Sequence, residues 1–247
     1  MRIPVLILFV ISMLWLPCNT LAGDTEKFIE NSIGMRLVLV PAGEYIMGSS
    51  FTDPDRQPDE YPHKVTFTHD FYMSEAEVTQ SQWEAVMGFN RSHHKGPALP
   101  VEKISWKDAV TFCEKLSTRE GKTFRLPTEA EWEYACKAGG NDSDIRESAW
   151  YFRNSHDSTH AVKQKTPNAW GFYDMLGNVS EWCQDYYQRE YPDSDVTDPT
   201  GPDQGKTKVI RGGAFDSFPP ALRCAARTQA PASYQYIQTG FRIVLIP

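Results

Sequence analysis

The stretch Trp170-Gly171-Phe172-Tyr173-Asp174-Met175-Leu176-Gly177-Asn178-Val179-Ser180-Glu181-Trp182 decides how the rest of the chain is read. It follows Pro167-Asn168, a turn signal, and its glycines interrupt any long helix. Its aromatic residues call for burial, where tryptophan and tyrosine also need polar partners. Asp174 and Glu181 bring two carboxylates onto one short glycine-containing loop. Calcium takes carboxylates together with backbone carbonyls, on backbone that can bend. The loop is therefore a candidate folding staple with a metal. Two carboxylates are not by themselves a calcium signature, and the plainer reading is a polar turn beside an aromatic core.

The chain has 247 residues, with 25 Lys and Arg against 32 Asp and Glu, a formal charge of -7. That length holds one large domain or two small ones. The acidic balance argues against nucleic acid as a partner, because phosphate binding needs clustered Lys and Arg. The 7 Trp, 11 Tyr and 13 Phe, with 16 Gly and 17 Pro, predict an irregular, loop-rich fold.

Residues 1–22 read as a signal peptide. Arg2 supplies the charged start, residues 3–16 an apolar core, and Thr20-Leu21-Ala22 a cleavage signal. The apolar run is short for a membrane span, and no later stretch is a spanning candidate. Cleavage after Ala22 removes Arg2, the one charged residue of the segment, and takes the charge from -7 to -8. Leu16-Pro17-Cys18 lacks the small residues that precede a lipidated cysteine, so plain export, periplasmic or secreted, is expected. Cys113, Cys136, Cys183 and Cys224 then remain. Export makes disulfides the expectation, and the lack of any CxxC spacing argues against zinc.

Residues 23–32 read as a mobile leader, and 33–247 as one domain. Apolar or alternating runs predict strands at 35–40, 45–47, 63–68 and 71–73. Three helices follow. The first covers 81–87 after Thr79. The second covers 106–117, capped by Ser105 with Asp108 three residues on, and Gly121 lies beyond its end. The third starts after Arg125-Leu126-Pro127, with Thr128 and Glu131 forming a Thr-x-x-Glu box. Trp132, Ala135 and Cys136 make its inner face, and Gly139 ends it. Residues 141–205 read mostly as loop, with a short extended piece at 161–164. Strands are predicted at 209–211, 222–227 and 241–246. Strands at both ends with helices between predict an α+β fold whose termini meet in one sheet.

Several segments in this order resemble one family. They are Gly34-Met35 with Val40-Pro41-Ala42-Gly43; Glu77-Val78-Thr79; Pro100-Val101 with Ser105-Trp106; Arg125-Leu126-Pro127-Thr128-Glu129-Ala130-Glu131-Trp132-Glu133-Tyr134-Ala135; the opening stretch; Arg211-Gly212-Gly213; and Gly240-Phe241-Arg242. Together they look like the formylglycine-generating enzyme, or sulfatase-modifying factor, family, over residues 33 to 244. The resemblance implies a variant of the C-type lectin fold, low in regular secondary structure. It also implies calcium held by a loop matching Asp174, Gly177, Val179 and Glu181, with Asn154 matching part of a second site. Cys136 and Cys224 match a disulfide pair. Cys113 matches half of a second bridge whose other position is Ile243 here, so Cys113 and Cys183 either pair or stay as buried thiols.

The family's named activity oxidises a sulfatase cysteine to formylglycine with molecular oxygen, through copper(I) on a cysteine pair. Thiolates suit that soft ion. The interval that carries the pair in the family is Asp216-Ser217-Phe218-Pro219-Pro220-Ala221-Leu222-Arg223 here, and it has no cysteine. Ala214 replaces the motif serine. Copper is therefore not expected. The family's substrate groove maps onto the C-terminal segment, here Phe215, Asp216, Phe218, Arg223, Arg227, Tyr234 and Tyr236. Its arginines suit carboxylates or carbonyls of a peptide, or else stack on core aromatics, the reading preferred for Arg242. Two functions follow from the resemblance: a non-copper module binding a peptide, protein or small ligand, or an oxygen-dependent oxidase modifying a sulfatase or peptide. The histidines, His63, His69, His93, His94, His156 and His160, have no metal-ligand spacing on a helix and read as structural or solvated.

Overall fold

The computed structural model describes residues 26–138, 145–191 and 194–247. The segment read as a signal peptide (with Cys18), the first residues of the expected leader and Gly139 lie outside the described residues.

The first half of the chain runs β1 (Phe28–Glu30), β2 (Arg36–Val40), β3 (Gly43–Met47), β4 (His63–Phe67), β5 (Phe71–Ser74), α1 (Gln80–Met87), α2 (Trp106–Glu120), β6 (Thr123–Arg125) and α3 (Glu129–Lys137). The second half runs α4 (Ile145–Ser148), β7 (Ser180–Tyr186), β8 (Val196–Thr197), β9 (Lys208–Arg211), a 3-10 turn (Pro219–Ala221), β10 (Arg227–Ala230), β11 (Thr239–Gly240) and β12 (Val244–Ile246). Among the described residues the strands form three sheets, ordered β1-β2-β5-β12-β6, β10-β9-β7-β11 and β3-β4-β8. The chain ends do share the first sheet, because β12 pairs with β5 and β5 with β2, both antiparallel.

The helices start where local chemistry places them. Thr128 Oγ1 accepts the Glu131 amide at 3.1 Å, and Glu131 Oε2 accepts the Thr128 amide at 2.8 Å. Each side chain thus satisfies an amide that the first turn cannot. Ser105 with Asp108, and Thr79 with Gln82, repeat the arrangement at α2 and α1. Gly121 closes α2 in the left-handed region at φ 65. At the end of α3 that conformation falls on Ala138, at φ 44. Helix α3 is buried on every side from Glu129 to Cys136, so Trp132, Ala135 and Cys136 are only part of its buried surface. Two aromatic-rich clusters take up the two faces of the first sheet, one around Trp132 of α3 and Phe172, the other around Trp83, Phe112 and Phe241.

Four readings are corrected. The leader is partly ordered, since Phe28–Glu30 pairs with β2. The segment read as loop up to 205 contains β7, a seven-residue strand. Its side chains are buried on both faces at most positions, so it shows no alternation. The piece at 161–164 is a turn. The strand expected at 222–227 begins only at Arg227, because Pro219–Ala221 forms the 3-10 turn and its exit bends.

Candidate functional site

The opening stretch is the crossing point of the molecule. Gly177 donates to Gly212 O at 3.0 Å, Asn178 to Trp150 O at 2.8 Å, and Phe215 to Asn178 O at 2.9 Å. Gly177 sits at φ +77, and a Cβ there would lie 2.1 Å from Trp150 O, so the approach needs glycine. Asn178 Nδ2 reaches Glu77 Oε2 at 2.8 Å, and the Val179 amide reaches Glu77 Oε1 at 2.9 Å. Glu181 accepts Trp132 Nε1 at 2.7 Å and pairs with Arg242 through Nε at 2.7 Å and Nη2 at 2.8 Å. Arg242 is fully buried, so its role is structural, but its partner is the Glu181 carboxylate where stacking on core aromatics was expected.

Glu77 and Asp174 thus lie near the Glu181–Arg242 pair, and only Glu181 makes the ion pair with the guanidinium. Burial raises Glu77 well above the usual carboxylate range, and Asp174 and Glu181 add to the rise. Burial lifts Asp174 to about 6, against the pull of the Lys163 amide and Arg242. That amide meets Asp174 Oδ2 at 2.7 Å, whereas Oδ1 is buried with no partner among the described residues. Asn154 is turned to its own loop, accepting the Tyr151 amide at 2.8 Å and donating to Ala149 O at 3.0 Å. Glu77 is the site residue that reading the two-carboxylate loop missed.

A groove of about 900 Å³ opens beside this crossing, lined by Gly212-Gly213, Asp216, the edge strand β10 and the Tyr234–Tyr236 loop. Asp216, Arg223, Arg227, Tyr234 and Tyr236 line it as expected. Two residues do not. Phe215 is 1% exposed and forms core under the His94 ring. Phe218 is 60% exposed but packs on Phe152, 4.5 Å between centroids, outside the lining. In an irregular segment no period tells which way a ring points.

Neither groove arginine is free. Arg223 pairs with Glu60 through both terminal nitrogens at 2.8 Å and holds Ser49 Oγ at 3.0 Å. Arg227 clamps Glu129 at 2.7 and 2.9 Å and stacks over Tyr191, 4.0 Å from the centroid. Bidentate pairs of this kind hold the guanidinium in one orientation. What the groove offers a ligand is Tyr234 and Tyr236 in an edge-to-face pair, Asp216 bonded to Gln238 Nε2 at 2.8 Å, and main-chain groups of an edge strand.

The cysteines lie away from the groove lining. Cys136 and Cys224 form a disulfide across 88 residues, as the family match implies. Cys113 and Cys183 are free and buried, in different core clusters, and burial raises both thiols above their ordinary range. Among the described residues no helix is long and apolar enough to cross a membrane.

Comparison with known proteins agrees with this architecture. Residues 24–246 match the sulfatase-modifying factor enzyme 1-like domain. The formylglycine-generating enzyme of Mus musculus is 29% identical over 283 aligned positions, covering 84% of this chain and 74% of that protein. Chaperone protein LppX of Paenibacillus barcinonensis is 29% identical, over 69% of this chain and 76% of that one. Treponema denticola variable protein 1 superposes with a TM-score of 0.84 at 29% identity, covering 90% of this chain and 100% of that chain. The domain match covers most of the 247 residues, and the α+β fold is that of its relatives: the chain belongs to the sulfatase-modifying factor family.

Proposed function

We propose that this protein is an exported, non-copper member of the family whose groove binds a peptide, a protein segment or a small ligand. One observation carries the reading. The segment from Ala214 to Arg223 has no cysteine, and the cysteines elsewhere are bridged or buried. A copper route needs two accessible thiolates on one soft ion. What remains is a groove built for stacking and hydrogen bonding, with its arginines already paired. Such surfaces, rich in tyrosine with adaptable polar neighbours, make contact area at low entropic cost. The name of the Paenibacillus relative, a chaperone, suits a binding role better than an oxidative one. The Cys136–Cys224 bridge suits an oxidising compartment.

A random-peptide display selection on the mature protein tests the groove. Tyr236 is 47% exposed, so its removal should not disturb the fold. Peptides enriched on the wild type should lose about tenfold or more in affinity for Tyr234→Ala with Tyr236→Ala, since stacked aromatic pairs are worth about 1 kcal/mol each beyond area. Enriched peptides that bind the double variant equally well would place recognition elsewhere.

We also propose calcium at the opening loop, a reading the donor chemistry supports. Asp174 Oδ1 is a buried oxygen with no partner among the described residues, and the Asp174 and Glu181 charges push on buried Glu77. Glu181 accepts three hydrogen bonds of the about four a carboxylate can take. Asp174, the Gly177 and Val179 carbonyls and Glu181 would hold the ion, which would supply the missing positive charge. Chelator should lower the melting temperature of the wild type, and calcium at a hundredfold excess over its dissociation constant should stabilise it by about 2.7 kcal/mol. Asp174→Asn should abolish that calcium response. An identical melting temperature with chelator and with calcium would remove the ion from the account.

A further inference from the structure

A second cavity, of about 470 Å³, lies on the other side of Arg227 from the groove. Its walls come from β4, α3, β7 and the loop around β8, and include the rings of His63, Tyr186 and Tyr191. His63 and Tyr191 face each other with centroids 4.6 Å apart. Arg227, which borders both cavities, is spent on Glu129.

Asp185 also lines this cavity and is only 6% exposed. Its Oδ2 accepts the Glu129 amide at 2.8 Å, a structural task at the start of α3. Gly201, also in the lining, packs against the Asp185 carboxylate, and among the described residues no cation stands within ion-pair distance of it. Lys208 and Arg125 are the cations nearest in effect. Lys208 is directed to Gln184 O at 2.8 Å with its ammonium over the Tyr186 ring, 3.4 Å from the centroid, and Arg125 to Glu131. Burial, with Glu129 and Glu131 nearby, pushes the Asp185 carboxyl up to about 7. A buried carboxylate without a countercharge is costly unless something pairs with it.

We propose that this cavity binds a small organic ammonium, with its charge beside the Asp185 carboxylate and its body against the paired His63 and Tyr191 rings. A cation meets both features of the lining at once, since aromatic faces attract it as well as the carboxylate. Neutral or anionic ligands of the same shape satisfy only the apolar walls. The site is independent of the groove and of its proposed ligand.

Calorimetric titration with benzylamine, a cation near neutral pH, against benzyl alcohol, its neutral counterpart, tests the proposal on the full mature chain. Benzylamine should bind the wild type at least about tenfold more tightly than benzyl alcohol. Asp185→Asn keeps an acceptor for the Glu129 amide but removes the charge, and should erase that preference. Thr200→Trp, at an exposed position of the lining, fills the cavity and should weaken benzylamine whether or not Asp185→Asn folds. Equal affinity for the two compounds, no binding of either, a preference that survives Asp185→Asn, or unchanged benzylamine affinity in Thr200→Trp would overturn it.

Discussion

Arg242→Met should cost about 3–5 kcal/mol of unfolding free energy, read from urea titration. Methionine replaces the volume of the side chain, so the loss is electrostatic and not a cavity. In the native protein Arg242 pairs twice with Glu181 and donates to Ser74 O at 3.2 Å and Tyr173 O at 3.0 Å. Removing it strands Glu181 beside Glu77 and Asp174, three carboxylates buried with no guanidinium. Breaking one side of a buried pair leaves the other charge uncompensated, whereas replacing both sides is far less costly. Arg242→Met combined with Glu181→Met should therefore recover part of the loss, and the cycle gives the coupling directly. A single variant within about 1 kcal/mol of the wild type would show that the arginine does not hold this crossing together.

Replacing Cys136 and Cys224 together with alanine should cost about 4–5 kcal/mol by the chain-entropy argument for a long closed loop. The bridge ties the last turn of α3 to the turn before β10, across a separation of 88 residues. It is backed by a buried ion network in the same place. Arg211 donates to Cys224 O at 2.6 Å and pairs with Glu133, while Glu133 also pairs with Lys137 at 2.7 Å. Because the bridge and the network share that turn, their losses should not simply add. Reduction of the wild type should reproduce the destabilisation of the double variant. A protein that unfolds at the same urea concentration with and without the bridge would refute the expectation.

What could be read from the sequence was what local chemistry decides. The caps at Thr79, Ser105 and Thr128 lie three residues from the amides they serve, and all three helices start there. The meeting of the two termini followed from strands at both ends. Strand β7 escaped because burial on both faces erases alternation. Strands β8 and β11 are two residues long, and such pieces exist only because a neighbour supplies hydrogen bonds. The site divides in the same way. Asp174 and Glu181 sit on one loop and were visible together. Glu77 joins them from 101 residues away through Asn178, a contact only the tertiary fold makes. The arginines of the groove were legible as arginines, but their carboxylate partners were not: Glu60 lies 163 residues from Arg223, and Glu129 lies 98 from Arg227. Asp185 drew no notice, since one carboxylate in a strand signals nothing until its surroundings are seen to lack a cation.

The central claim is that this family member binds in its groove without making formylglycine. The most direct measurement is mass spectrometry of a Cys-x-Pro-x-Arg peptide incubated with the mature protein, copper(I) and oxygen. The account predicts that the peptide's mass is unchanged, because Asp216 and Ser217 stand where thiolates are needed and Phe218-Pro219-Pro220 stiffens that segment. Loss of the cysteine sulfur with gain of an aldehyde, dependent on the protein, would contradict it.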